Sequence, residues 1–338
     1  MPVESKRDYS ISLLRMIATL CIIICHLMQC LSMELAWWFN VAVEVFIVMS
    51  GFLYGQKGII DNSLQFYRKN ILKILVDYYV VIIPVLLIYA LVSPQMLTPV
   101  LAIKVLLTLD TVSGGEHLWY VLYCILFYLA TPLISRYFEK YRNRHIVLYF
   151  LLLSVSVVLI TEGFFPNSHP ARILCYPLGY FLGVISTMDN RRLYKYTSVV
   201  IVLLMVLLNS LLIVFDYVLN PELSSILNTP HPNLYNYGHA ALGAALFIIL
   251  KEIFSGIFHK GYPQALKKLC RISDKYSYDI YLVHWFVIVG YFLLKQSTEI
   301  DMIGIIGIFA VTFAGAVLVN LISCFLRRSV KLLKSISV

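Results

Sequence analysis

The sequence predicts an all-α fold: a polytopic transmembrane helical bundle of about ten spans with both termini cytoplasmic. Three observations carry that reading. First, 60% of the 338 residues are hydrophobic and only 13% are charged, with a mean hydropathy of +0.82, whereas a soluble domain carries about 25% charged residues. Second, the apolar residues gather in runs of about 20, the length that crosses a hydrocarbon core of about 30 Å. Third, Lys and Arg are distributed unevenly between the alternate connections of those runs.

Taken in order, the runs are 10–31, 37–55, 72–92, 117–135, 146–161, 171–187, 197–217, 238–254, 277–295 and 301–325. The stretch 97–112, "LTPVLAIKVLLTLDTV", is short and amphipathic and is expected as an interfacial or partly inserted connector. With both termini inside, 23 of the 27 Lys and Arg residues fall in or beside cytoplasmic segments, as the orientation bias of membrane loops requires. The exceptions are Lys104, Arg172 and Lys295 outside and Arg15 in the membrane. The loop 218–235 has no Lys or Arg and three prolines, as suits a translocated segment that covers a site. The net charge of +9 follows from this bias and calls for no nucleic acid. Basic residues Lys6 and Arg7 precede a first run that is too long for a signal peptide and lacks a small-residue cleavage site, so an anchor is expected. Seven cysteines form no CxxC pair and mostly sit in apolar runs, where they read as packing residues. Residues 1–338 are expected to form a single membrane-embedded domain with no fused soluble domain.

Ionisable residues inside the runs are the candidate functional groups. A charged side chain costs about 2.5 kcal/mol or more in hydrocarbon, so such groups face a bundle interior or a wet cavity. In "ISLLRMIATLCIIICHLMQC", Arg15 and His26 are 11 positions apart, which places them on one helical face about 16 Å apart. Arg15 then lies toward the cytoplasm and His26 in the middle or outer half. Glu44, in "WWFNVAVEVFIVMSGFLYG", lies at a similar depth and is expected to orient the His26 ring and support its imidazolium, the arrangement of a base for a hydroxyl group; a structural polar pair is the alternative.

Further in, "SDKYSYDIYLVHWFVIVGYF" places His284 near the bilayer middle, with Tyr281 and Tyr278 at helical spacings before it, so this helix faces something polar. His117 and Trp119 in "GGEHLWYVLYC" begin the fourth run, where Trp also serves as an interfacial anchor. Arg172, on the outer side in "HPARILCYPLGYFLG", is suited to a polar or anionic substrate or to snorkelling. Gly179 and Gly183 form a small-xxx-small face for helix packing. Arg68, Lys69 and Lys73 at the cytoplasmic start of the third run provide charge for phosphates as well as orientation.

These residues resemble a known family, the integral membrane acyltransferase family 3. Its first-span signature, a basic residue, ten residues and then His, is supplied by Arg15 and His26 in "RMIATLCIIICH". "VEVFIVMSGF" with Glu44 resembles its second-span acidic motif. "HLWYV" resembles its fourth-span opening, and "YSYDIYLVH" with His284 its closing-span motif. The family's Arg-x-x-Arg motif is matched only by Asn70 to Lys73, with Arg68 and Lys69 just upstream.

The resemblance implies O-acetyl transfer from cytoplasmic acetyl-CoA to a hydroxyl of an extracytoplasmic cell-surface polysaccharide or glycan, with the protein in the cell membrane. His26 and Glu44 would be catalytic. Arg15, Arg68, Lys69 and Lys73 would bind the donor. His284, His117, Trp119, Arg172 and Tyr281 would contact substrate. No metal is implied. Expected partners are the glycan acceptor, membrane lipid, and a separate extracytoplasmic transferase or polysaccharide-assembly proteins where the bundle does not complete transfer. Two other readings use the same residues: a small-molecule transporter, since some family members are linked to uptake, and a non-enzymatic membrane partner of glycan assembly.

Overall fold

The structure, a computed structural model, describes residues 7–141, 145–164, 170–188, 191–214, 232–296 and 299–336. Arg142, Arg144 and most of the loop expected at 218–235 lie outside the described residues. All ten apolar runs form helices, and among the described residues there is no strand.

In chain order the helices are α1 Tyr9–Cys30, α2 Ala36–Asn40, α3 Ala42–Gly55, α4 Ser63–Val92, α5 Pro99–Leu106 and α6 Trp119–Lys140. They continue as α7 Ile146–Phe164, α8 Pro170–Ser186, α9 Arg191–Ile213, α10 Pro232–Ile257, α11 Gln264–Lys295 and α12 Met302–Ile336. Among the described residues, eight segments are long and apolar enough to cross a membrane, with α2 and α3 together forming one of them. α7 and α8 supply the two shorter runs, and α8 compensates by burying most of its 17 residues. The expected connector is the eight-residue α5. The molecule is a multi-pass membrane protein.

The chain forms two compact units, described in turn. The first comprises residues 1–18, 37–60 and 131–270. Its centre is the contact between α3 and α8, made through glycines on both helices. A Cβ at Gly51 or Gly55 would strike the carbonyl oxygen of Tyr176 or Tyr180, and one at Gly179 or Gly183 would strike that of Val48 or Phe52. Small residues let two backbones touch where apolar driving force between helices in lipid is weak. The contacts advance along both helices together, from Glu44 with Arg172 to Gly55 with Gly183, so α3 and α8 run parallel. α10 joins them in the same direction, from His239 near Glu44 to Phe247 near Phe52. These are the second, sixth and eighth runs, and a common direction is what strict alternation of ten crossings demands. α9 runs antiparallel to α10: Asn209 donates to the Gly238 carbonyl at 3.1 Å, and Tyr194 donates to Glu252 at 3.5 Å.

The second unit comprises residues 19–36, 61–130 and 271–338. Ile74, Tyr78 and Ile82 of α4 pack with Val105, Leu118, Val121 and Leu282. Tyr78, Tyr79 and Tyr89 of α4 donate to the carbonyls of Val105, Leu106 and Ser113 at 2.6, 3.0 and 2.6 Å. These bonds tie α4 to the segment 105–113, where the Val105 carbonyl also accepts from the Thr108 N–H at 2.9 Å. A second apolar cluster joins Ile23 and Leu27 of α1 to Ile288 of α11 and Ile308 of α12. Between the long helices lie polar clasps: Arg327 donates to the buried Asp77, and Asn320 donates to Asp279 at 2.9 Å. α11 and α12 are antiparallel, with Asp279 opposite Asn320 and Ile288 beside Ile308.

Two consequences are measurable. Gly179→Leu places side-chain atoms in the Val48 backbone, which cannot move aside as a flexible side chain would, and is expected to destabilise the protein by about 1–3 kcal/mol in thermal unfolding in detergent; an unchanged midpoint would remove the glycine contact from this account. Asp77→Ala leaves the Arg327 charge without its partner and is expected to cost about 3 kcal/mol. Replacing both Asp77 and Arg327 by Leu should recover most of that loss, and additive losses would contradict the pairing.

Candidate functional site

Histidines from three distant parts of the chain converge in the second unit. The turn "SGGEHL" brings in the first of them. Gly114 has φ +69°, a conformation open to glycine, and its N–H donates to Glu116 Oε1 at 2.8 Å. The turn then tightens into a single 3-10 turn, Glu116–Leu118, which buries His117 ahead of α6. α11 holds that turn at several points: the Tyr281 hydroxyl donates to the His117 carbonyl, and the Trp285 indole N–H donates to Glu116 Oε2 at 3.3 Å. One turn of α11 therefore supplies Tyr281, His284 and Trp285 to the same place.

The ring of His284 lies 5.0 Å from that of His26 and 5.2 Å from that of His117, centroid to centroid. Trp285 covers His26 at 4.7 Å, and Tyr281 lies 5.6 Å from His117 and 5.9 Å from His284. His117 and His284 are buried, and His26 is half-buried.

The hydrogen bonds fix which nitrogen of each ring carries a proton, because a carbonyl oxygen only accepts. His284 Nδ1 faces the carbonyls of Tyr281 at 2.7 Å and Ile280 at 3.3 Å, so Nε2 carries the lone pair. His117 Nε2 faces the Leu282 carbonyl at 3.3 Å, leaving the lone pair on Nδ1. His26 Nδ1 lies 2.8 Å from the amide oxygen of Gln29, one turn along α1; the neutral ring that donates to that oxygen keeps its lone pair on Nε2. His284 Nε2 and His117 Nδ1 are buried without a hydrogen-bond partner among the described residues. In their neutral forms the three imidazoles offer acceptor nitrogens in one region, an arrangement that receives hydrogen-bond donors and protons. Among the described residues, no three His, Cys, Asp or Glu side chains are grouped as a metal site.

Glu44 was expected to orient His26. Within the second unit, His26 Nδ1 meets the amide oxygen of Gln29 of the same helix. Glu44 belongs to a cluster in the first unit. Its Oε1 accepts from Arg172 Nε at 2.5 Å and lies 3.2 Å from His239 Nδ1. The ring of His239 is fixed in turn by its Nε2, 3.0 Å from the Trp37 carbonyl, and packs at a tilt against the Trp37 indole, 4.6 Å between centroids. The backbone at Gly243 makes room for this, since a Cβ there would meet that of Glu44.

The remaining expected residues are distributed as follows. Tyr281, His117 and His284 join His26, while Trp119 contacts Tyr120 and Tyr123 on α6. Arg15 stands in the second turn of α1, on the same continuous helix as His26. Arg68, Lys69 and Lys73 are exposed on the first three turns of α4.

Sequence reasoning overlooked Gln29, Glu116, Trp37 and His239. Gln29 was signalled by its one-turn spacing from His26. His239 was signalled as an ionisable ring at the head of a small-residue run, "GHAALGAAL".

The family model for the acyltransferase domain matches residues 8–321, nearly the whole chain. No curated protein and no solved structure matches the chain significantly. With the helices, the histidine cluster and that match together, the chain belongs to the acyltransferase family as one of its multi-pass membrane members.

Proposed function

We propose that this membrane acyltransferase moves an acetyl group from cytoplasmic acetyl-CoA to a hydroxyl of an extracytoplasmic cell-surface glycan, in the cell membrane, with His26 as the base. The observation that supports this most is the His26 ring itself. Its Nδ1 lies 2.8 Å from the Gln29 amide oxygen, the Trp285 ring lies against it at 4.7 Å, and donation to Gln29 leaves Nε2 as the basic nitrogen. Tethering one nitrogen so that the other is the lone-pair site is how an imidazole is prepared for general base chemistry.

The acceptor O–H would give its proton to His26 Nε2 as the oxygen attacks the thioester carbonyl carbon. The new C–O bond forms, the C–S bond breaks, and the proton held on the imidazole passes to the departing thiolate. The lone pairs of His284 and His117 would accept hydrogen bonds from neighbouring hydroxyls and keep the acceptor in register. Burial of these rings limits access of water, which would otherwise waste the thioester.

Arg15, Arg68, Lys69 and Lys73 are the cations proposed to receive the donor's phosphates, because Arg and Lys bind phosphate through charge-assisted contacts. Arg15 and His26 lie about 16 Å apart along α1, a span that an extended acyl arm covers.

His26→Ala is expected to lower the O-acetyl ester content of the cell-surface glycan about 10²–10⁴-fold relative to wild type in a complemented deletion strain, with protein levels matched. Ester content that is the same in the deletion, the wild type and the variant would remove the enzyme reading. Uptake of a small molecule without consumption of acetyl-CoA would favour the transporter in its place. Gln29→Leu, which removes the ring's tether and little else, should reduce ester formation in the same assay by a smaller factor, about tenfold; full activity would show that the tether is irrelevant.

A further inference from the structure

Glu116 is the exposed neighbour of the buried His117, and both of its carboxylate oxygens are engaged. Oε1 accepts from the Gly114 N–H at 2.8 Å, and Oε2 accepts from the Trp285 indole N–H at 3.3 Å. Two consecutive residues of the turn thereby meet two consecutive residues of α11. His117 lies beside His284, with ring centroids 5.2 Å apart, and Glu116 lies beside Trp285.

The turn would stay docked on α11 without the Glu116–Trp285 bond. The Tyr281 hydroxyl donates to the His117 carbonyl, His117 Nε2 meets the Leu282 carbonyl at 3.3 Å, and the His117 ring stands edge-on to Phe286 at 5.2 Å. An exposed hydrogen bond adds little to such a joint, because water competes for both partners. Its effect falls on the indole. Trp285 is half-buried, and its ring lies 4.7 Å from that of His26. An indole N–H only donates, so an acceptor at a fixed place selects one orientation of the ring. A carboxylate suits this use because it accepts on two oxygens at once: one anchors the acid to the backbone of the turn, and the other faces Trp285.

His26 depends on that wall. Its Nδ1 meets Gln29 at 2.8 Å, a contact on the exposed side that by itself lets the ring swing about its Cβ–Cγ bond. The rings of His284 at 5.0 Å and Trp285 at 4.7 Å confine it. His284 is buried, with its Nδ1 facing the carbonyls of Tyr281 and Ile280, whereas the half-buried Trp285 is tied through Glu116.

We propose that Glu116 is a positioning residue of the transfer: by fixing the Trp285 indole it confines the His26 ring in the orientation that meets Gln29. This rests on the reading of His26 as the base, and all of the residues involved lie in the second unit.

The test compares full-length wild type, Glu116→Ala, Trp285→Phe and the double variant in lipid at neutral pH, each with ¹⁵N-labelled histidine and tryptophan. O-acetyl ester content of the cell-surface glycan is measured for the same four in the complemented deletion strain, with protein levels matched. Trp285→Phe keeps an aromatic ring and removes the N–H. Glu116→Ala is expected to shift the Trp285 indole N–H resonance, which is assigned by its absence in Trp285→Phe. Each single variant should lower the share of His26 with its proton on Nδ1. A reacting group displaced by about 1 Å can lose about 10²-fold in rate; with the Gln29 contact still available, ester content should fall about tenfold in each single variant. The double variant should match the singles within about twofold, because both substitutions cut one connection.

An unchanged indole resonance in Glu116→Ala, an unchanged His26 tautomer in both single variants, or losses that multiply in the double variant would overturn the positioning role. The resonances are read without any transfer taking place, so the function is judged apart from them. A His26 tautomer that depends on Glu116 and Trp285 in a protein whose wild type forms no ester would refute the transferase reading and leave Glu116 as the group that orders the ring.

Discussion

A carboxylate or an imidazole in a lipid-soluble helix has to find its partners inside the protein, because the hydrocarbon offers none. That constraint organises both units. Asp77 takes Arg327 and Asp279 takes Asn320, while Glu44 takes Arg172 and His239. Each pairing ties helices that are remote in sequence, and helices that associate weakly through apolar contact alone acquire a defined register from them. The glycines of α3 and α8 cooperate, since only backbones in contact bring Glu44 and Arg172 within hydrogen-bond reach.

Against that background the histidine cluster differs in kind. Every structural pair joins a donor to an acceptor. In the cluster the donors are tied to Gln29, Leu282 and Tyr281, and what converges is a set of lone pairs. Groups of one polarity, buried together and left with acceptor capacity, suit a hydroxyl-bearing reactant and the proton it sheds better than they suit helix packing. The turn that carries His117 is held by Tyr281 and Trp285 for the same end: a ring acting on a substrate needs a fixed position, and α11 is long and joined to α12 through Asp279 and Asn320.

Much of the fold was legible in the sequence because a span needs about 20 apolar residues, and nothing else produces ten such runs in 338 positions. The glycines at 179 and 183 were legible as a packing face for a similar reason, although their partners Gly51 and Gly55 sit in a stretch read for its acidic residue. The histidines were legible as ionisable groups in the wrong solvent. Their partners were less so. Glu44 and Arg172 are 128 positions apart, and depth along two helices does not decide which neighbour a carboxylate faces. Depth was the ground for pairing Glu44 with His26; it carried no signal of Arg172 and His239 beside Glu44, or of Gln29 three positions from the imidazole. Asp77, a lone acid in the third apolar run, carried a signal as plain as that of His26 and was passed over because its partner Arg327 reads as an orientation charge.

Base chemistry at His26 requires an imidazole with its proton on Nδ1 and its basic lone pair on Nε2. The most direct measurement is nitrogen NMR of the full-length protein with ¹⁵N-labelled histidine, assigned by comparison with His26→Gln, at neutral pH in lipid. A protonated Nδ1 and an unprotonated Nε2 are expected at His26, with the tautomer lost in Gln29→Leu. A His26 ring protonated at Nε2 in the wild-type protein would contradict it.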